Sequence, residues 1–462
     1  MFINREEEIS IIRRRINSNN PEMIIIYGRR GIGKTTLLFE ALKDSKKVYL
    51  FTPRGDLKDI LESYSRDIRE ELGFIVNLAS WQDFLEFLLQ AGKHGIVVII
   101  DEFQRLSEAY PPGISFLQDF WDRKLKKTKI KLILVGSIIG MVEKLALMGD
   151  APLFGRKTSE LKIQPLPYIA VRDYWRSYSE EERIAAYGVF GGTPNYFVSA
   201  NPNSSLEENI LDLILSKDGK LFREPENLLN EETRAPATYI SILSLLSRSG
   251  RGLPLSKIHV RRGSPTVYLN TLIKMDLVEK IKSLAQYDTI YSIKDEFFRF
   301  WFYFIHRRMS LIEMGKGKVL LEYIMSEIDN YLAFTFEKIL RELIIYSSGN
   351  KLKGKEIPII YEVGSFWYKD IEIDVAALAE DILILGEAKW RDEKIERKEV
   401  EKFIAKANLA VKKKGMKGYI GIILSKEGFT ISARKLEGDN LILIDLEELA
   451  REIKELRTTL VK

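Results

Sequence analysis

Cysteine is absent from the sequence, and histidine occurs three times, as His94, His259 and His306. The first absence excludes disulfides and cysteine-based zinc sites; the second argues against a histidine metal cluster. No apolar run approaches the ~18 residues that a membrane-crossing helix needs, so no membrane span is expected. The opening Met-Phe-Ile-Asn-Arg-Glu-Glu-Glu is too acidic and too poor in apolar residues for a signal peptide, which makes a cytoplasmic location the expectation. A third absence is local: between Thr233 and Met275 there is no Asp or Glu. What is present is ample for burial, with 45% hydrophobic and 30% charged residues in a chain of 462. At about 100–200 residues per domain, that length predicts two to four domains. Abundant Lys, Arg and Glu without Cys match the composition of a thermophile. The net charge of +5 is too small to identify a partner, so its distribution along the chain must do so.

The most informative stretch runs from Glu22 to Leu38. Met23 to Tyr27 reads as a buried strand, Gly28-Arg29-Arg30-Gly31-Ile32-Gly33-Lys34-Thr35 follows at once, and Thr36 leads into a helical segment. This is the Walker A pattern in the context it requires. Glycines let a loop pass close to phosphates and aim its N–H groups inward, and the helix N-terminus adds its positive dipole end. Lys34 then reaches the β- and γ-phosphates, and the Thr35 hydroxyl coordinates Mg2+. ATP or ADP is the expected ligand.

Ile96-Val-Val-Ile-Ile-Asp101-Glu102 reads as a Walker B strand, with Asp101 toward the metal and Glu102 toward the attacking water. Lys131 to Ser137 is a further strand. Ligands bind beyond the carboxyl ends of such strands, which puts Ser137 near the γ-phosphate. Strands alternating with helices predict a parallel, doubly wound sheet.

Residues 1–200 resemble the archaeal AAA+/STAND-type ATPase family. The matching stretches are Phe2-Ile-Asn-Arg-Glu, the glycine loop, Asp101-Glu-Phe-Gln, Gly136-Ser137, Leu153-Phe-Gly-Arg156 and Gly191-Gly-Thr-Pro194. The resemblance implies that Arg156 meets the γ-phosphate, where a fixed guanidinium stabilises transferring charge, and that Pro194 packs near the adenine. Such an arginine serves its own subunit or a neighbour's, so a homo-oligomer remains open.

The acid-free segment carries Arg234, Arg248, Arg251, Lys257, Arg261, Arg262 and Lys274. Its pattern is helix (237–248), turn, short helix (255–260), turn, helix (266–275), followed by strands at 278–281 and 289–293. This resembles a winged helix-turn-helix. Thr266, Tyr268 and Asn270 would then face a major groove, with the basic residues at phosphates, making DNA the expected partner of residues 233–275. A packing lid or oligomer contact is the alternative. The aromatic run from Phe297 to Phe304 reads as a buried helix rather than a base-stacking platform.

In the last third, residues 311–330 read as a charged connection and 331–345 as a helix carrying Glu337. Residues 356–368 read as a strand and turn. Asp374 on one strand, Glu387-Ala-Lys389 on the next, and the later strand 418–425 resemble the PD-(D/E)XK nuclease superfamily. Ile373 stands where that pattern has proline. The resemblance implies that Asp374 and Glu387 hold a divalent metal and that Lys389 positions water. The fold also persists without cleavage.

The expected fold is α/β: a P-loop parallel sheet, then a helical and winged-helix region, then a small α/β nuclease-like domain, over residues 1–200, 201–310 and 311–462. The expected function is an Mg2+-dependent ATPase acting on DNA, with or without ATP-regulated cutting. The alternative is a regulatory or scaffold ATPase whose C-terminal domain binds a protein.

Overall fold

The structure, a computed structural model, describes residues 4–286 and 288–460. Phe2 and Ile3 of the family-matching N-terminal stretch lie outside the described residues. The chain separates into two compact units, one ending at Gln164 and one beginning at Pro165.

The first unit is built on strands β1 (Glu22–Tyr27), β2 (Lys47–Phe51), β3 (Val97–Asp101), β4 (Lys131–Gly136) and β5 (Ser159–Lys162). They pair in the order β2-β3-β4-β1-β5, each pair parallel. Alternate residues of the central strands enter two separate cores, because successive side chains point to opposite faces. Ile24, Ile26, Ile99 and Ile133 pack with Ile12 of helix α1 (Glu6–Ile16) and Leu37 and Leu38 of α2 (Lys34–Ala41). Ile25, Ile100 and Leu134 pack with Ile60 of α3 (Leu57–Leu72), Phe84 of α4 (Trp81–Lys93) and Leu117 of α5 (Gly113–Arg123). Burial on both faces explains why these strands read as continuous apolar runs. This is a P-loop NTPase fold, and β1, β3 and β4 deliver the glycine loop, Asp101 and Ser137 to one edge.

The second unit opens with helical segments, among them α6 (Glu180–Phe190), started by a Ser179–Glu182 capping box. Helix α7 (Pro236–Leu246) is followed by the two-residue strand β6 (Leu253–Pro254), helix α8 (Pro265–Lys274), and strands β7 (Val278–Lys282) and β8 (Thr289–Ile293). These strands form an antiparallel sheet in the order β6-β8-β7. The helix expected over 255–260 is a single 3₁₀ turn at Leu255–Lys257. Pro254 blocks extension backwards, and of the apolar residues before the Gly263 turn Ile258 is buried while Leu255 is exposed and Val260 half-buried. The aromatic run is buried as expected except at Tyr303, with Phe297, Phe300, Trp301 and Phe304 all inside.

The charged connection expected over 311–330 is instead the first half of one 30-residue helix, α9 (Gly317–Tyr346). Leu320, Ile324, Ile328, Leu332, Phe336, Leu340 and Ile344 recur at every fourth position and are buried, joined by Tyr331, Thr335, Ile339 and Leu343. That stripe outweighs the charges between its members. Glu356 ends a short hairpin of β9 (Lys351–Leu352) and β10 (Lys355–Glu356), and the strand expected over 356–368 starts only at β11 (Glu362–Tyr368). Strands β11, β12 (Ile371–Leu378), β13 (Ile382–Lys389), β14 (Gly418–Ser425) and β15 (Leu441–Ile444) form a mixed sheet in chain order. β11-β12-β13 is an antiparallel meander, whereas β14 and β15 join in parallel. Helix α10 (Arg397–Lys414) buries Val400, Phe403 and Ala407 against Leu383, Leu385 and Ile423 on one face. Helix α9 covers the other, with Leu340 and Ile344 over Gly386.

Candidate functional site

The glycine loop leaves β1 and enters α2 with Gly31 at φ 79° and Gly33 at φ 92°, conformations that glycine alone adopts freely. At Gly28 the constraint is space: a Cβ would lie 2.5 Å from the Ile163 carbonyl oxygen. Lys34 is buried and donates from Nζ to the carbonyls of Gly28 at 2.7 Å and Arg29 at 3.2 Å, so its ammonium is held across the loop. Arg29 and Ile32 are buried, while Arg30 and Thr36 are exposed.

Asp101 ends β3 and faces the first turn of α2. Its Oδ2 accepts from Thr35 Oγ1 at 3.2 Å and from the Tyr49 hydroxyl. Its Oδ1 accepts from the Glu102 backbone N–H at 2.8 Å. Burial, then the adjacent Asp101 charge, pushes the Tyr49 phenol above its ordinary value, so it stays a donor. These three donors to Asp101 are all neutral. A hydroxyl and a carboxylate converging in this way fit the oxygen ligand set of Mg2+, whose charge would offset that of a phosphate chain.

Glu102 follows with φ 55°, a left-handed backbone that costs a non-glycine residue of order 1 kcal/mol and gathers at functional sites. Its Oε2 accepts from Ser137 Oγ at 2.7 Å and Gln104 Nε2 at 2.5 Å. β3 and β4 are neighbours, so Ser137 and Glu102 meet across the sheet edge. Arg156 donates from Nε at 3.2 Å and Nη2 at 2.8 Å to Asp122 on α5. These bonds hold the Asp122 carboxyl below its ordinary value. Pro194 begins a short helix, Pro194–Phe197, in the second unit, after Thr193, whose hydroxyl donates to Asp295 at 3.2 Å.

A second cluster of charge lies in the second unit. Asp374 on β12 accepts from the Ala388 backbone N–H at 3.0 Å with Oδ2, and from Arg251 Nη2 at 2.6 Å with Oδ1. The same guanidinium pairs with Glu337 of α9 at 3.5 Å and with Glu372. Glu387 on β13 is paired with Lys389 at 3.2 Å and with Lys406 of α10 at 2.6 Å. Burial, then the Asp374 charge, pushes the Glu337 carboxyl up to about 7, against the pull of Arg251 and Arg341. Burial also raises Asp374. Arg251, Glu337, Glu372 and Asp374 line a cleft of about 290 Å³. Among the described residues, no group of three or more histidine and carboxylate side chains could hold a metal ion.

Sequence reasoning missed four participants. Tyr49 carries no motif and is brought in only by strand neighbourhood; Gln104 stands in the Asp101-Glu-Phe-Gln stretch, but its bond to Glu102 is made by a short turn. Arg251 reads as one more basic residue of its segment, and Lys406 as one lysine of a solvated helix face.

Residues 2–200 match a family model described as an ATPase domain predominantly from Archaea. Residues 301–403 match one described as archaeal and bacterial proteins of unknown function. Over 462 residues the chain is 30% identical to the uncharacterized protein MJECL04 of Methanocaldococcus jannaschii, covering 97% of this chain and 100% of that one. It is 46% identical over 46 residues to the uncharacterized ATP-binding protein MJ0423 of the same organism, spanning 10% of this chain and 78% of that one. Among solved structures, the Walker-type ATPase paby2304 of Pyrococcus abyssi aligns at 18% identity over 65% of this chain and 96% of that one, with a TM-score of 0.49.

Proposed function

The chain belongs to the archaeal P-loop ATPase family that includes MJECL04, and on that premise we propose an ATP-driven switch that grips duplex DNA. In this reading Gly28 to Thr36 cradle the phosphates, Lys34 neutralises them, and Thr35 and Asp101 hold Mg2+. Glu102, braced by Ser137 and Gln104, orients the attacking water. Arg156 serves the γ-phosphate once released from Asp122, and Pro194 lies by the base. Residues 1–200, 201–310 and 311–462 act as motor, winged DNA reader and nuclease-like domain. A homo-oligomer would let Arg156 act between subunits.

One observation carries the DNA reading. The 233–275 segment lacks any carboxylate, and its Arg248, Lys257, Arg261 and Arg262 are exposed around α8, whose Asn270 is also exposed. Basic residues concentrated on a helix–wing element are the electrostatic footprint of a phosphate backbone. The test is duplex binding by fluorescence anisotropy across a salt series. Changing Arg261→Glu and Arg262→Glu together should abolish salt-dependent binding while leaving ATP turnover in place. Unchanged binding would sink the reading.

The ion pairs on Asp374 and Glu387 favour a second reading, in which the C-terminal domain regulates without cutting. Linear, circular and single-stranded DNA should therefore stay intact with Mg2+ or Mn2+, with and without ATP. Cutting that Lys389→Ala loses would instead make the protein an ATP-regulated nuclease.

A further inference from the structure

Arg251 belongs to the acid-free basic segment, yet its guanidinium is spent elsewhere. It sits at the tip of the Ser249-Gly-Arg-Gly turn between α7 and β6. Gly250 and Gly252 flank it at φ 62° and 122°, and a Cβ on Gly252 would lie 2.5 Å from the Tyr291 carbonyl oxygen. The turn is therefore tied down by glycine on both sides while its arginine projects. That arginine spans 123 residues of sequence to reach Asp374, and it also pairs with Glu337 and Glu372. Glu337 and Asp374 are largely buried, but Glu372 and the guanidinium are 59% and 39% exposed, so the contact opens to water on one side.

We propose that Arg251 is an autoinhibitory latch, held by the Asp374, Glu337 and Glu372 carboxylates and released to a DNA phosphate when the basic segment engages a duplex. The inference rests on the DNA reading above. A guanidinium pairs with a carboxylate or a phosphate through the same planar N–H fork, so the two anions compete for one group. While latched, Arg251 adds nothing to the basic surface, and it gives Asp374 a fixed counter-charge. When DNA takes it, Asp374 loses that counter-charge. Coupling is reciprocal: whatever weakens the latch tightens DNA, and DNA weakens the latch.

The test is a double-mutant cycle on duplex affinity, measured by anisotropy on the full chain in nucleotide-free, EDTA-containing buffer over a salt series. Asp374→Asn should tighten binding about 5-fold or more, the lower end of ordinary coupling. Its salt slope should steepen by about 1, for one added phosphate contact. Glu372→Gln, at a half-exposed position, should move affinity the same way and serves if Asp374→Asn does not fold. In an Arg251→Gln background both changes should lose their effect. Equal tightening in that background marks bulk charge alone and overturns the latch, as does unchanged affinity in Asp374→Asn and Glu372→Gln. Absence of salt-dependent binding in every variant and in the unmodified chain overturns the DNA reading itself.

Discussion

Asp101 and Asp374 both lie on sheet strands, and both are nearly buried, at 6% and 7% exposure. Burial therefore does not separate them; their company does. Asp101 receives two hydroxyls and a backbone N–H, all neutral. Asp374 receives a backbone N–H and a guanidinium. The first arrangement orients a carboxylate without cancelling its charge, which suits a cation that comes and goes with nucleotide. The second cancels the charge from within the chain, because a carboxylate left unpaired in a low-dielectric setting is costly. The same residue type thus keeps its charge among neutral donors in one unit and is half of an ion pair in the other.

The largest effect that bears on this contrast is on ATP turnover. Lys34→Ala should lower it ~10²–10³-fold, the range for removing one fixed electrostatic stabiliser. Glu102→Gln should lower it ~10²-fold or more while nucleotide affinity, read by titration calorimetry, survives. If Asp374→Asn lowered turnover as far, the division of labour drawn here would fail.

Glu342 of α9 sharpens the comparison from another side. Like Asp101 it accepts from neutral donors, the Tyr168 N–H at 2.7 Å and the Tyr187 hydroxyl at 3.0 Å. Burial pushes its carboxyl from 4.5 up to about 7, although Lys338 pulls the other way. A carboxyl raised on folding favours the fold fully below about pH 4.5 and loses that advantage as pH climbs through about 7. Glu342→Gln should therefore gain stability over the unmodified chain at pH 8, by on the order of 3 kcal/mol at most, and gain none near pH 4. Thermal unfolding at the two pH values measures it. An equal shift at both would mean that the carboxyl is not titrating in the fold.

The smallest effect separates the two aspartates directly. Asp374→Asn should cost about 1.5–3 kcal/mol, the contribution of a hydrogen bond to a charged group. Asp101→Asn should be near neutral or stabilising, since it removes a buried charge held by two hydroxyls and a backbone N–H, all neutral. Chemical denaturation of the two variants without nucleotide checks both. Equal losses would erase the contrast.

The phosphate cradle was legible because a P-loop is local: Gly28 to Thr35 are contiguous, and their backbone geometry follows from their own residue types. Asp101-Glu102 at the end of an apolar run and the β12–β13 hairpin were legible for the same reason, since strand period and short connections are written within about 20 residues. The first half of helix α9 is hard to read in sequence because its charged residues mask the 3.6-residue apolar stripe between them. The sequence alone determined which residues can cradle phosphate and which segment is basic. Tertiary structure alone decided that Tyr49 meets Asp101, that Lys406 meets Glu387, and that Arg251 is delivered to Asp374. Those pairings depend on which strands become neighbours and where long side chains find an opposite charge, and no local pattern encodes either.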